Sequence, residues 1–357
     1  MTITEIARQR LQNQRLTAPD FKSAVDAVKW LGAVQAQDYN AAKWALGLRM
    51  QNATDDEIEK AFAQGKIVRT HVMRPTWHFV APADIRWLLK LTGPRINALM
   101  AHYYRKFELD AAVFRRSSRA LVKALSGGRQ LTRGELRNAV QRAGIKVDDL
   151  LRFAHILIHA ELHALICSGA RRGKQFTYAL LDERAPRSRE LTREEALAEL
   201  AQRYFTSHGP ATLQDFVWWS GLTTADAGTA LNLIHSQLVA EVVGDKTYWR
   251  PSVMAKSRPA IVAQLLPGFD EYLVAYKDRS AALTSKSRKV AQLGNAVFSP
   301  TIILRGQVVG LWKRALERDS VIITLQPLAR LSSADNQVVT QAAHRYGAFL
   351  RSPSIVA

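Results

Sequence analysis

The sequence predicts a mainly α-helical chain with β-ribbons, α+β in class. Three observations carry this expectation. Helix-start signals of the form Thr-x-x-Glu recur along the chain. Helical stretches are followed by pairs of short strand patterns around a glycine-bearing turn. From about Arg258 onward the text changes to apolar strand runs closed by a single helical stretch.

The middle of the chain shows the recurring unit most clearly. A helical pattern over Arg119 to Leu125 precedes Thr132-Arg-Gly-Glu135, a capping box that opens a second helix. Asp148 or Asp149 caps a third helix that runs through His163. Leu165 to Cys167 and Gln175 to Leu180 then read as strands around the basic tip Gly169 to Lys174. Three helices and a β-ribbon with such a tip make a winged helix, placed at 115–185.

The same order recurs at 190–252. Thr192 to Glu195 caps a helix to about Phe205, Gly209-Pro210 breaks the chain, and Thr212 caps a short helix stopped by Gly221. Thr223 or Thr224 starts a helix to about Leu238, and Val239 to Val243 and Thr247 to Arg250 flank the hairpin turn Gly244-Asp245. A less regular copy spans 1–82, with helices at Ile3 to Gln14, Phe21 to Val34, Ala41 to Met50 and Asp55 to Gln64, then strands Ile67 to Met73 and Thr76 to Val80. A helical connector fills 83–114, and 258–357 forms a small α+β domain with strands at Thr301 to Arg305, Val308 to Trp312 and Ser320 to Leu325 and a helix from Ser333 to Phe349. The prediction is three tandem winged-helix motifs plus that domain.

Composition narrows the partners. An apolar fraction of 47% with 23% charged residues is ordinary for a globular chain, but 50 Lys and Arg against 31 Asp and Glu leave +19. A surplus of this size points to a polyanion, and double-stranded DNA is the expected partner. Arg95 to Arg142 holds eleven Lys or Arg against three acids, a local +8, and Lys277 to Lys289 forms a second basic run. No apolar run suits a membrane, and no obligate protein partner is called for, so a monomer is expected. With Cys167 the only cysteine and no secretory leader, the setting is a reducing cytoplasm, beside the nucleoid.

The stretch that invites a chemical reading is Leu31 to Met50, and within it Gln35-Ala36-Gln37. Residues at i and i+2 point to opposite sides of a helix but to one side of extended backbone. If the helix ends near Val34, both amides can face one cleft. A glutamine amide is too weak a base to take a proton at pH 7, yet it can hold a water and turn a carbonyl dipole toward positive charge. The plain alternative is a pair of solvated residues at a helix end.

Gln35-Ala36-Gln37, the run Arg69 to Val80 (RTHVMRPTWHFV) and Leu265 to Arg279 (LLPGFDEYLVAYKDR) together resemble the AlkZ-type winged-helix DNA glycosylases, over nearly the whole chain. In that family two glutamines flanking an aliphatic residue form the catalytic motif. The resemblance implies that Gln35 and Gln37 are catalytic, that alkylated purines are excised hydrolytically from DNA, interstrand crosslinks among them, and that no cofactor is used. A sister branch carries aspartate at the second position. Here Gln37 stands there with Asp38 after it, and Ala36 is smaller than the usual spacer.

Further candidates are DNA contacts. Arg74 and His78 lie on the first wing, Arg171, Arg172 and Lys174 on the second, and Arg279 and Lys286 in the C-terminal basic run. His78 serves equally well as a structural histidine beside Trp77, and for Arg279 an ion pair with Asp270 ranks ahead of a phosphate contact. His155, His159 and His163 follow at i,i+4 with Cys167 beyond, a spacing that could hold zinc. The apolar residues between them and the lack of an acidic ligand favour instead a stripe facing solvent or phosphate, so no metal is expected.

Overall fold

Thr2 accepts from the Glu5 amide at 3.2 Å and Glu5 returns the bond to the Thr2 N–H at 2.6 Å, and this reciprocal cap starts α1 (Ile3–Asn13). The computed structural model describes residues 1–185, 190–252, 263–283 and 299–357. They form a mixed α/β chain that divides into two units, one of residues 1–59 with 197–357 and the other of residues 60–196.

In the first unit, α2 (Ala24–Leu31) is capped by Ser23 and stops at Gly32, whose φ of 80° is open to glycine and strained for other residues. The helix is therefore shorter than the apolar pattern Phe21 to Val34 suggests. Val34–Gln35 is extended (β1), and Asp38 caps α3 (Tyr39–Gly47) by accepting from the Ala41 amide at 3.0 Å. The boundary between the units falls within α4 (Asp55–Ala63).

The second unit begins with the antiparallel pair β2 (Val68–Val72) and β3 (Arg74–Val80), turned at Met73, whose φ is 64°. Next come α5 (Ile85–Lys106), α6 (Ala111–Leu125), β4 (Leu131–Thr132), α7 (Arg133–Arg142), α8 (Leu150–Leu162), β5 (Ile166–Ser168), β6 (Thr177–Leu180) and α9 (Leu181–Arg184). α6 starts earlier than Arg119 because Asp110 caps it, accepting from the Val113 amide at 2.7 Å. β4, β6 and β5 form one small antiparallel sheet, in that order. The core beneath it joins Phe114, Leu121 and Leu125 of α6 to Leu136 of α7 and Phe153 and Ile156 of α8.

The chain returns to the first unit through α10 (Arg193–His208), followed by α11 (Leu213–Ser220) and α12 (Thr224–Ile234). Thr212 and Asp215 form the capping box of α11, and Gly221 closes it in the left-handed region at φ 69°. A short 3₁₀ turn ends α12 before Leu238, because β7 (Leu238–Val243) takes that residue into its pairing with β8 (Lys246–Pro251). The turn between them is the expected one, with Gly244 at φ 63°.

The C-terminal region holds β9 (Ala263–Leu266), α13 (Glu271–Val274), β10 (Thr301–Leu304), β11 (Gln307–Leu316), β12 (Val321–Pro327), α14 (Ser333–Phe349) and β13 (Ser354–Val356). Its sheet runs β13-β12-β11-β10-β9, antiparallel except where β13 joins β12. β9 and β13 lie outside the strands that the sequence pattern predicts. Trp44 of α3 docks on this sheet, its indole N–H donating to the Leu265 carbonyl at 2.7 Å and its ring lying edge-on to Tyr346 of α14.

Candidate functional site

The Gly32 turn decides where the glutamines go. A Cβ built on Gly32 would lie 3.2 Å from the Trp219 ring, so this position requires both the backbone freedom and the small size of glycine. Past the turn the chain is extended through Gln35 and bends at Gln37 and Asp38, so neither glutamine is helical. The two amides lie in different surroundings: Gln35 is buried at 6% exposure, whereas Gln37 is exposed.

Beneath Gln35 lies a carboxylate. Glu271, fully buried at the start of α13, accepts from the Gln35 backbone N–H at 2.8 Å through Oε1 and from the Trp219 indole N–H at 3.0 Å through Oε2. His208 Nε2 stands 3.6 Å from the same Oε2, and burial pushes its imidazole below the ordinary value although Glu271 draws it up. The neighbouring Asp270 takes a different partner. It pairs side-on with the fully buried Arg49, both oxygens at 2.9 Å, and not with Arg279. The reason is geometric: Asp270 also accepts from the Tyr272 amide at 2.9 Å as the cap of α13, so its carboxylate faces inward.

Asp38 is accounted for as the cap of α3. Lys43, on the buried side of that helix, is held by Asp55 at 2.7 Å and Glu59 at 2.9 Å. A cavity of about 330 Å³ opens at Asp38 and Ala41 and is lined further by Pro267, Trp312, Lys313 and Arg314. It adjoins the motif in the chain and adds two cations to its surroundings, which a reading of the glutamine stretch alone does not find.

Of the proposed DNA contacts, Arg279 shares the first unit with the glutamines. It is half-buried, its Nε donates to the Leu273 carbonyl at 2.8 Å, and its guanidinium lies 5.4 Å from the Trp218 ring. Arg74, His78, Arg171, Arg172 and Lys174 belong to the second unit. Arg74 is half-buried, while His78 is 1% exposed with Nδ1 3.0 Å from the Thr76 carbonyl oxygen. Arg171 lies 5.4 Å from the Phe176 ring, Arg172 is exposed but paired with Glu135 at 2.8 Å, and Lys174 is exposed beside Gly173 at the tip. Lys286 lies outside the described residues.

The histidine stripe does not simply face solvent. The His155 ring stacks on Tyr103 at 5.0 Å, and His159 is sandwiched between Phe114 at 3.6 Å and His163 at 3.9 Å. Only His163 of the three is exposed. The apolar surroundings of α8 explain this: an aromatic shelf from α5 and α6 receives the rings. No group of three His, Cys, Asp or Glu residues is placed to hold a metal ion among the described residues. No described helix is long and apolar enough to cross a membrane.

A strongly basic chain that offers a neutral amide pair on non-helical backbone suits chemistry on nucleic acid with a good leaving group, where no strong base is needed. Comparison with known proteins makes the class definite. Residues 28–349 match the family described as DNA glycosylase AlkZ-like, and the chain belongs to that family. It is similar to the interstrand DNA cross-link repair glycosylase of Streptomyces sahachiroi, 25% identical over 359 residues, covering 94% of this chain and 93% of the relative. The solved structure of the S. sahachiroi DNA glycosylase AlkZ shares the fold with a TM-score of 0.82 at 21% identity, each chain covered in full.

Proposed function

We propose that this protein is a monofunctional DNA glycosylase that hydrolyses the N-glycosidic bond of N7-alkylated purines in duplex DNA, including those joined in interstrand crosslinks. The observation that carries this reading is the placement of Gln35-Ala36-Gln37 on non-helical backbone past the Gly32 turn, inside the stretch that matches the family. N7-alkylation makes the purine cationic, so its bond to C1′ breaks toward an oxocarbenium-like sugar with the electron pair leaving on N9. Water then adds to C1′ and releases a proton, giving an abasic site and the modified base.

Gln35 and Gln37 take the roles this chemistry requires. Their side-chain carbonyls hold the water and place negative dipole density against the developing cation, with DNA phosphate adding to it. The exposed Gln37 meets the water arriving from solvent, and the buried Gln35 presents a fixed amide. Lys43 is tied to Asp55 and Glu59, which supports hydrolysis over a Schiff-base route.

The domains proposed are three winged helices, at 1–82, 115–185 and 190–252, with the connector at 83–114 and the C-terminal domain at 258–357. It acts as a cytoplasmic monomer, without cofactor or obligate protein partner, on double-stranded DNA near the nucleoid. Duplex contact is assigned to Arg74, Arg171, Arg172, Lys174, Arg279 and Lys286. The burial of His78 and its contact with Thr76 support the structural role for that residue.

Release of N7-methylguanine from methylated duplex, measured for the wild type, Gln35→Ala, Gln37→Ala and the double variant, tests the proposal. Each single variant is expected to lose on the order of 10²-fold in rate, as for a lost transition-state dipole, with duplex affinity kept. A wild type that binds duplex but releases nothing from methylated or crosslinked DNA would make this a non-catalytic DNA-binding protein or regulator.

A further inference from the structure

We propose that Glu271 is a positioning residue for the reaction: its carboxylate grips the Gln35 backbone and the Trp219 indole at once and so sets the aim of the catalytic amide. This rests on the assignment of Gln35 as catalytic. The carboxylate is 0% exposed. A buried carboxylate is far less favourable than one in water unless donors surround it. Its donors include the Gln35 N–H at 2.8 Å and the Trp219 N–H at 3.0 Å, and His208 Nε2 stands 3.6 Å from the oxygen that Trp219 bonds. Arg49 is committed to the neighbouring Asp270.

A structural role alone is met more simply by an apolar side chain of the same volume. What an apolar side chain cannot do is fix the height and tilt of the peptide at Gln35, which lies 236 positions away in sequence. The grip also includes the turn that delivers the motif, since Trp219 is the ring against which Gly32 packs. Glu271 thus holds both the entrance to the motif and its first residue. Both of its oxygens must accept, and this requires a carboxylate. A glutamine in its place offers one acceptor and turns an NH2 toward a second donor.

The test uses full-length protein and single-turnover release of N7-methylguanine at saturating enzyme, with duplex affinity measured alongside. Glu271→Gln is expected to lower the rate by on the order of 10²-fold, the effect of a displacement near 1 Å, with affinity unchanged. Trp219→Phe should lower it less than 10-fold, a threshold set by the retained Gln35 bond. The combination Glu271→Gln with Trp219→Phe removes the opposed donors and should recover most of the loss. A merely structural role would instead reduce the amplitude, the fraction of active enzyme, and leave the rate of that fraction unchanged. That result overturns the proposal, as does a double variant no faster than Glu271→Gln. If Glu271→Gln fails to fold, the double variant alone decides by its rate against Trp219→Phe. Gln35→Ala in the same series separates the two readings: if it retains the wild-type rate, the catalytic assignment fails and the positioning role with it. If it loses the rate while Glu271→Gln does not, the positioning role alone fails.

Discussion

Replacing Arg49 by methionine should destabilise the protein by about 3–5 kcal/mol, the range for removing one member of a buried ion pair. Arg49 and Asp270 are both at 0% side-chain exposure. The guanidinium bonds both Asp270 oxygens at 2.9 Å, the Ala45 carbonyl at 2.8 Å and Gln14 Oε1 at 2.8 Å. Methionine fills most of the volume but removes every one of these donors. Asp270 is left with the Tyr272 amide against a full buried charge. For a unit of this size the loss corresponds to a fall of about 6–20 °C in Tm, at about 2–4 °C per kcal/mol. Asp270→Asn alone should be similarly harmful, because it strands the arginine. The double variant should be better than the sum of the two by about 2 kcal/mol or more, the mark of a direct pair. Urea midpoints followed by near-ultraviolet circular dichroism give the cycle, provided the slope with denaturant is unchanged. A loss below about 1 kcal/mol for Arg49→Met, or strict additivity in the double variant, would refute the reading of Arg49 and Asp270 as a directly coupled buried pair, since exposed pairs give values of that size.

Two further outcomes follow from the second unit. Burial, with His163 stacked beside it, pushes the His159 imidazole down to about 3. Between that value and the ordinary 6.5 the unfolded chain binds a proton that the folded chain refuses, so this residue makes stability fall as pH drops from about 6.5. His159→Phe should therefore lose less Tm than the wild type between about pH 7 and pH 4.5, a window that covers most of that titration. An equal loss in both would remove His159 from the acid response. At the exposed tip beside Gly173, Lys174→Ala should weaken duplex binding and reduce the slope of log affinity against log salt by about 0.9, the value for one phosphate contact. An unchanged slope would place that lysine off the DNA.

Local chemistry made much of the fold legible. Thr132 with Glu135 and Thr192 with Glu195 form reciprocal caps where the Thr-x-x-Glu pattern put them, and Gly244 turns the hairpin between β7 and β8. Each signal acts within four residues, so the sequence carries it whole. The apolar pattern overstates α2 because Ala33 and Val34 continue it. The signal was present, however, in Gly32 itself. β9 and β13 were not legible because their partners lie on β10 and β12, and their strand character comes from that pairing more than from their own residues.

The acidic pair Asp270-Glu271 shows why the contacts around Gln35 were not readable in the sequence. In sequence the two residues are equivalent, neighbouring acids in an apolar run. Tertiary structure splits them: Asp270 turns to Arg49, 221 positions away, and Glu271 to Gln35, 236 positions away. α13 spans only Glu271–Val274, so neither acid can shift without moving the other. A side chain that bonds Asp270 is therefore one link removed from the Gln35 backbone. This predicts an ordering between stability and rate. At a temperature where Arg49→Met remains folded, its rate of base release should fall by less than that of Glu271→Gln, because Arg49 acts one link further from the amide. Were Arg49→Met the slower of the two at full folding, the chain of contacts from Arg49 through α13 to Gln35 would not be the route by which the core holds the motif.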